Sequence, residues 1–225
     1  MEYDNIRYEE EIDLKELCIF ALRKWKLLLG MTLAGALILG IFQSTLSYAL
    51  IGALLGAFCG AGLLFMQYIF SPKLRNAKEL KEQYGYYILS DLSRPESAQA
   101  GPFEKLLDRW AGYTSEWEEE KEYRLIAARI QMAVETTPVA LMVTGTAKAQ
   151  LLHEAGERLK ALLPKETFRV CTEENITYNE QALTQVRQYA VVLVEEAGES
   201  DRQEIAKLVE VLRISKVKVV GVMVL

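Results

Sequence analysis

The chain has 225 residues, 51% hydrophobic and 25% charged, with 26 Lys and Arg against 31 Asp and Glu for a formal net charge of −5. That balance, without a Lys/Arg-rich run or aromatics interleaved with basic residues, argues against nucleic acid as a partner. Three scattered cysteines, Cys18, Cys59 and Cys171, and the single His153 leave almost no material for a His/Cys metal site, and the thiols read as reduced and structural.

Residues 1–22 form an acidic lead. Ile12, Leu14, Leu17, Cys18, Ala21 and Leu22 recur at helical spacing opposite Glu11, Asp13, Lys15 and Glu16. This predicts an amphipathic helix that lies on a membrane surface or continues into the next segment.

Residues 23–72 hold two apolar stretches, 25–43 and 48–70, separated by Ser44-Thr45-Leu46-Ser47. A helix crosses a ~30 Å hydrocarbon core in about 20 apolar residues, so both are expected to span as a tight transmembrane hairpin. A signal peptide is excluded by the acidic lead and by the second apolar run that follows at once. Arg23, Lys24 and Lys26 precede the first span; Lys73, Arg75, Lys78 and Lys81 follow the second; the turn has no cation. Both termini are therefore expected in the cytoplasm. Trp25, Tyr48 and Tyr68 fall at the expected interfaces. Gly52, Gly56 and Gly60 make a flat strip for helix packing, either against Gly30, Ala34 and Gly35 of the same hairpin or against another copy.

Residues 73–135 read as a juxtamembrane linker and helices: a polar helix over 73–83 stopped near Gly85, a Ser/Pro/Ala-rich linker over 91–102, and a largely helical 103–134. Glu116 to Glu122 reads as a solvated acidic face. Tyr84, Tyr86 and Tyr87 read as packing residues.

Residues 136–225 change rhythm. Strands are predicted at 139–144, 167–171, 190–195 and 218–225, with helices at 150–163, 179–188 and 201–215. That alternation predicts a small cytoplasmic α/β domain with a mostly parallel sheet. The continuous run Val191-Val192-Leu193-Val194 fits a strand buried on both faces. The turn Thr144-Gly145-Thr146-Ala147-Lys148-Ala149-Gln150 stands where a doubly wound domain holds a phosphate. A Walker A loop needs GxxxxGK[ST]. One glycine remains here, and Ala149 stands where the hydroxyl belongs, so the loop is P-loop-like but degenerate. Gly145 and Lys148 are the remaining candidates to touch an anion. No catalytic residue, metal ligand or cofactor is expected. Glu195 and Glu196 form a tempting acid pair, but neighbours on a strand point to opposite faces and are read as flanking a loop. His153 reads as a surface or packing residue.

Glu11-Ile12-Asp13-Leu14-Lys15-Glu16-Leu17, followed by Arg23-Lys24-Trp25-Lys26 at the head of an apolar span, resembles the start of polysaccharide chain-length determinants, the Wzz-like polysaccharide co-polymerases. Ser71-Pro72-Lys73 and Lys78-Glu79-Leu80 are similar to that family's exit segment, and residues 85–92 to its short strand after the membrane. Glu122-Tyr123-Arg124-Leu125 and residues 190–224 resemble parts of the bacterial tyrosine autokinase domain often fused to these determinants. Two departures stand out: four residues replace the family's extracytoplasmic domain, and no nucleotide-binding motif is intact. The resemblance implies a non-catalytic scaffold or regulator of capsular or exopolysaccharide production in the bacterial plasma membrane. Its expected partners are lipid, further copies of itself and polysaccharide-assembly proteins. The alternatives are a membrane-anchored ATPase or tyrosine kinase with an unusual phosphate loop, and a membrane adaptor unrelated to polysaccharides.

Overall fold

The computed structural model describes residues 14–43, 46–92, 119–134 and 139–225. Expectations for the first part of the lead, the start of the turn at Ser44, most of the 91–102 linker, residues 103–118 and the Thr136-Thr137-Pro138 break lie outside these residues. The chain divides into two units: a helical one ending at Ser71, and an α/β one built from residues 72–92 and 119–225 among those described.

The helical unit comprises α1 (Leu14–Arg23), α2 (Trp25–Gln43) and α3 (Leu46–Ile69). They contain no proline and, in α2 and α3, almost no charge. A turn at Lys24 separates α1 from α2. The antiparallel pair α2–α3 meets backbone to backbone at its glycines. A Cβ on Gly35 or Gly52 would run into the carbonyl oxygen of the other, and one on Gly56 would run into the Met31 carbonyl. Gly60 sits against the Met31 and Leu28 side chains. The strip thus packs within the hairpin, where removal of side chains lets two backbones touch. The opposite surfaces carry exposed Leu33, Leu37, Ile41, Leu54 and Phe58.

Tyr68 is buried, its ring 5.4 Å from that of Phe20. Lys24 caps this contact, its ammonium 4.6 Å from the Phe20 centroid and donating to Gln67 Oε1 at 2.8 Å. Cys18 and Cys59 are exposed on their helices. Among the described residues, one helix, Ser47–Ile69, is long and apolar enough to cross a membrane, with mean hydropathy 2.2. Only 17% of that window is buried, unlike the core helix of a soluble domain. The apolar stretch Trp25–Leu39 of α2 is shorter.

The α/β unit opens with α4 (Ala77–Tyr84). Asn76 caps its first turn by accepting from the Glu79 N–H at 3.1 Å, and Gly85 ends it with φ +70, a left-handed conformation. Then come β1 (Ile88–Asp91), α5 (Glu119–Ala133), β2 (Val139–Thr144), α6 (Ala149–Leu162) and β3 (Phe168–Thr172). The polar helix expected over 179–188 is the short α7 (Glu180–Gln185) with a tighter turn, Val186–Gln188. The chain ends with β4 (Ala190–Glu195), α8 (Arg202–Ile214) and β5 (Val219–Val224).

The strands form one parallel sheet in the order β1-β5-β4-β2-β3. The boundary read from sequence shifts: residues 73–92 and 119–134, assigned there to a linker and helices, belong to this unit, as does Pro72, assigned there to the hairpin. β1 pairs with β5 in register Ile88 with Val222, and α5 covers one face through Tyr123, Ile126 and Ile130. Val192 and Val194 of β4 point into the layer of α5 and α6; Val191 and Leu193 point into that of α4, α7 and α8. Both faces are covered, which is why this strand reads as an unbroken apolar run.

The segment just after α3 is bonded to the β4–α8 loop. The Arg202 N–H donates to the Pro72 carbonyl at 2.9 Å, Leu74 N–H to Ser200 at 2.8 Å, and Gly198 N–H to Leu74 at 2.7 Å. Leu74 is 1% exposed, and Glu79 of α4 binds the Arg202 guanidinium at 2.5 Å.

Close helix packing at the glycine strip is testable. Gly52→Val and Gly56→Val should each destabilise the hairpin by about 1–3 kcal/mol through overpacking. Gly62→Val, where a Cβ meets nothing within 4 Å, should be neutral. Thermal unfolding of the full chain in detergent micelles reads the difference.

Candidate functional site

In an open parallel sheet, ligands bind beyond the carboxyl ends of the strands, where successive connections depart in opposite directions. Here that point lies between β2, whose connection leads to β3, and β4, whose connection leads to β5. The turn Thr144-Gly145-Thr146-Ala147-Lys148 and the Glu195-Glu196 pair are therefore brought together, as their separation of about fifty residues in sequence does not announce.

The loop after β2 folds over the end of β4. A Cβ on Gly145 would run into the Val194 carbonyl oxygen, and Ala147 N–H donates to that same carbonyl at 3.4 Å. Gly145 is required here by strand packing, with or without a phosphate. Thr144 is buried and its hydroxyl donates to the Glu174 carbonyl at 2.9 Å. The next residue turns inward. Thr146 N–H lies 3.3 and 3.2 Å from the two carboxylate oxygens of Glu195, and its hydroxyl donates to Oε2.

Glu195 is fully buried. Burial pushes its carboxyl up to about 7, and hydrogen bonds from Thr146 and Ser200 hold it from rising further. A carboxylate of the protein thus takes the backbone amide that a phosphate-binding turn would offer to its ligand. Glu196 points the other way. Its N–H donates to Ser200 Oγ at 2.8 Å, and its carboxylate receives the Lys148 ammonium at 3.0 Å. Lys148 also lies 3.8 Å from Glu199. Both residues singled out from the sequence, Gly145 and Lys148, sit at the switch point. One is engaged by strand packing and the other by carboxylates, the largely buried Glu196 and the exposed Glu199.

Tyr84 lies close enough for Glu195 to act on it. Burial raises its hydroxyl first, and the Glu195 charge adds to that. It stacks on Tyr86 at 6.3 Å, whereas Tyr87 is 60% exposed. A shallow polar pocket of about 340 Å³ opens beside the carboxyl end of β3, between Leu152 and His153 of α6 and Glu173, Glu174 and Asn179. His153 is exposed there. Among the described residues no cluster of His, Cys, Asp or Glu could hold a metal. Cys171 is half-buried, and desolvation pushes its thiol up, away from the reactive thiolate.

Sequence reasoning noticed Glu195 but missed its partner. The available signal was a carboxylate ending an otherwise apolar central strand, which has to find a donor.

Glu195 makes stability depend on pH. Its folded value lies above the ordinary 4.5, so the folded protein keeps a proton that the unfolded chain releases. The stabilisation is full below about pH 4.5 and is lost as pH rises through about 7. The wild type should lose about 3 kcal/mol across that window relative to Glu195→Gln. Unfolding midpoints of both proteins at pH 5 and pH 8 measure it, and parallel profiles would count against a protonated, buried Glu195. No protein-family model matches the chain, and no curated protein matches it.

Proposed function

We propose that this protein is a non-catalytic membrane scaffold or regulator of bacterial capsular or exopolysaccharide production. The observation that carries the non-catalytic reading is the Thr146–Glu195 contact: the amide a nucleotide phosphate would need is bonded to a buried carboxylate of the protein itself. The polysaccharide reading is supported by the likeness of residues 11–26 to the start of chain-length determinants. Membrane insertion is supported by α3, by the exposed apolar residues around the α2–α3 pair, and by cations at both outer ends with none in the turn. In this reading α2 and α3 cross as a hairpin with both termini cytoplasmic. Because Gly52, Gly56 and Gly60 face α2, association with further copies or with polysaccharide-assembly proteins uses other surfaces. The α/β unit docks cytoplasmic partners, and its interfaces bias assembly without chemistry.

Equilibrium dialysis with millimolar ATP and Mg²⁺ should show no saturable binding. Saturable binding lost on Lys148→Ala would replace this reading with an enzyme. Cross-linking in native membranes should recover the protein with copies of itself or with polymerase components. Recovery as a lone monomer, with normal polysaccharide after gene deletion, would overturn the scaffold.

Topology has its own test. A membrane-impermeant maleimide should label Ser47→Cys in intact spheroplasts, in a background lacking Cys18 and Cys59, and should reach Cys171 only after lysis. Labelling of Cys171 before lysis would reverse the orientation.

A further inference from the structure

The two ends of the sheet differ in charge. All five strands run the same way, so the loops leading into them open on one end and the loops leaving them on the other. Lys165, Arg169, Arg187, Lys216 and Lys218 stand at the amino ends of β3, β4 and β5, and all five are exposed. Lys165, Arg169, Arg187 and Lys216 meet no carboxylate among the described residues. Elsewhere in this unit Arg124, Arg158, Lys160, Arg202 and Lys207 each do.

The α8–β5 turn lies on the basic end. It closes α8 with a Schellman motif: the Lys216 N–H donates to the Arg213 carbonyl and the Val217 N–H to the Leu212 carbonyl, both at 3.1 Å. The motif holds Lys216 at φ +54, the one positive φ outside glycine among the described residues. Glycine is the usual residue there, because a Cβ carries a steric cost in the left-handed region. The turn thus keeps an ammonium where the backbone favours glycine. Ile214, 69% exposed, stands two residues before it.

The opposite end offers a recess of complementary character. Glu173 and Glu174 follow β3, and Glu180 opens α7. Glu173 accepts from the Asn179 amide at 3.4 Å, and none of the three meets a Lys or Arg among the described residues. Glu173 and Glu174, with Leu152, His153 and Asn179, line the shallow polar pocket of about 340 Å³. That is near the lower bound of about 300 Å³ for pockets that take a ligand, a size for one or two side chains. Carboxylates beside the apolar Leu152 suit an ammonium carried on a methylene stem.

Within one copy the turn and the pocket cannot meet. β5 and β3 are three spacings of about 4.8 Å apart, and the two features lie at opposite ends of strands about 20 Å long, a separation on the order of 25 Å. We propose that the pocket after β3 receives the Lys216 turn of a second copy, so that α/β units associate head to tail. The two surfaces differ, so the contact is heterologous; each copy can hold two neighbours and build rows or rings. The charges are exposed, so the contact is reversible and screened by salt. This deepens the assembly with further copies proposed above and rests on it.

The test uses equal amounts of ¹⁵N-labelled and unlabelled full chain, reconstituted together in vesicles of zwitterionic lipid, treated with a zero-length carbodiimide and mapped by mass spectrometry. Amide links should join Lys216 or Lys218 to Glu173, Glu174 or Glu180, and should include pairs of one labelled and one unlabelled peptide. Their yield should fall at least fivefold in 0.5 M NaCl. Lys216→Gly should keep or raise the thermal midpoint, because glycine suits the left-handed turn, while cutting the links from Lys218 at least threefold. A Lys216→Glu, Lys218→Glu variant and a Glu174→Lys, Glu180→Lys variant, when mixed, should link to one another at the exchanged positions. Links confined to peptides of one isotope would put the contact inside a single copy and overturn the proposal. Links from Lys216 and Lys218 to carboxylates of other elements in place of these three would overturn it too. Absent links, with copies still recovered together from native membranes, would sink this docking and leave the assembly reading standing; absent links with a lone monomer would remove both.

Discussion

The α/β unit is organised around the carboxyl end of β4. This strand lies between β5 and β2, is covered on both faces, and ends in a carboxylate with no route to water. An ionised group in that position is costly unless donors surround it. Thr146 from the β2 loop and Ser200 from the β4–α8 loop supply them. Satisfying Glu195 therefore draws two loops together over the switch point. The ordering of the loop after β4 in turn presents Gly198, Ser200 and Arg202 to the chain arriving from α3. One buried polar group thus shapes the crevice where open parallel sheets bind ligands, and the loop it orders also holds Pro72 and Leu74 of the same unit.

Much of this unit was readable in the residues because burial on both faces leaves a strong mark. Val139 to Val143 and Ala190 to Val194 are continuous apolar runs, and β2 and β4 contain them. The stop at Gly85 was equally legible, since a left-handed residue after a polar helix has few chemical solutions. A short strand within residues 85–92 was expected only through the family resemblance, and not as part of the sheet: β1 has four residues, one fully buried leucine and a buried serine, too little pattern to assign it to a sheet from spacing. Its place is decided by β5 and α5, which are distant in sequence. The Tyr68 contact was not legible for a related reason: Phe20, which covers its ring, comes from α1, distant in sequence.

The site was half legible. The position of the turn after β2 followed from the alternation of strands and helices, and Gly145 and Lys148 lie in it. Their engagement did not follow, because it depends on which strand the loop leans against. Gly145 is small for Val194's backbone, and Lys148 faces carboxylates that come from a loop nearly fifty residues away. A glycine and a lysine after a strand thus have two physical explanations, a bound anion or a close strand and a surface pair. Sequence spacing cannot separate them, whereas the hydrogen bonds of the intervening Thr146 can.

The bonding of Pro72 and Leu74 to the β4–α8 loop also sets a length. α3 ends at Ile69, and the first carbonyl held by the α/β unit belongs to Pro72. Two residues lie between, about 7 Å of chain at full stretch. Pro72 and Leu74 are thereby part of the sheet's own loop bonding: with Leu74 1% exposed and paired to both Ser200 and Gly198, a change of side chain or of chain length at this point reaches the loop that supplies Ser200 to Glu195.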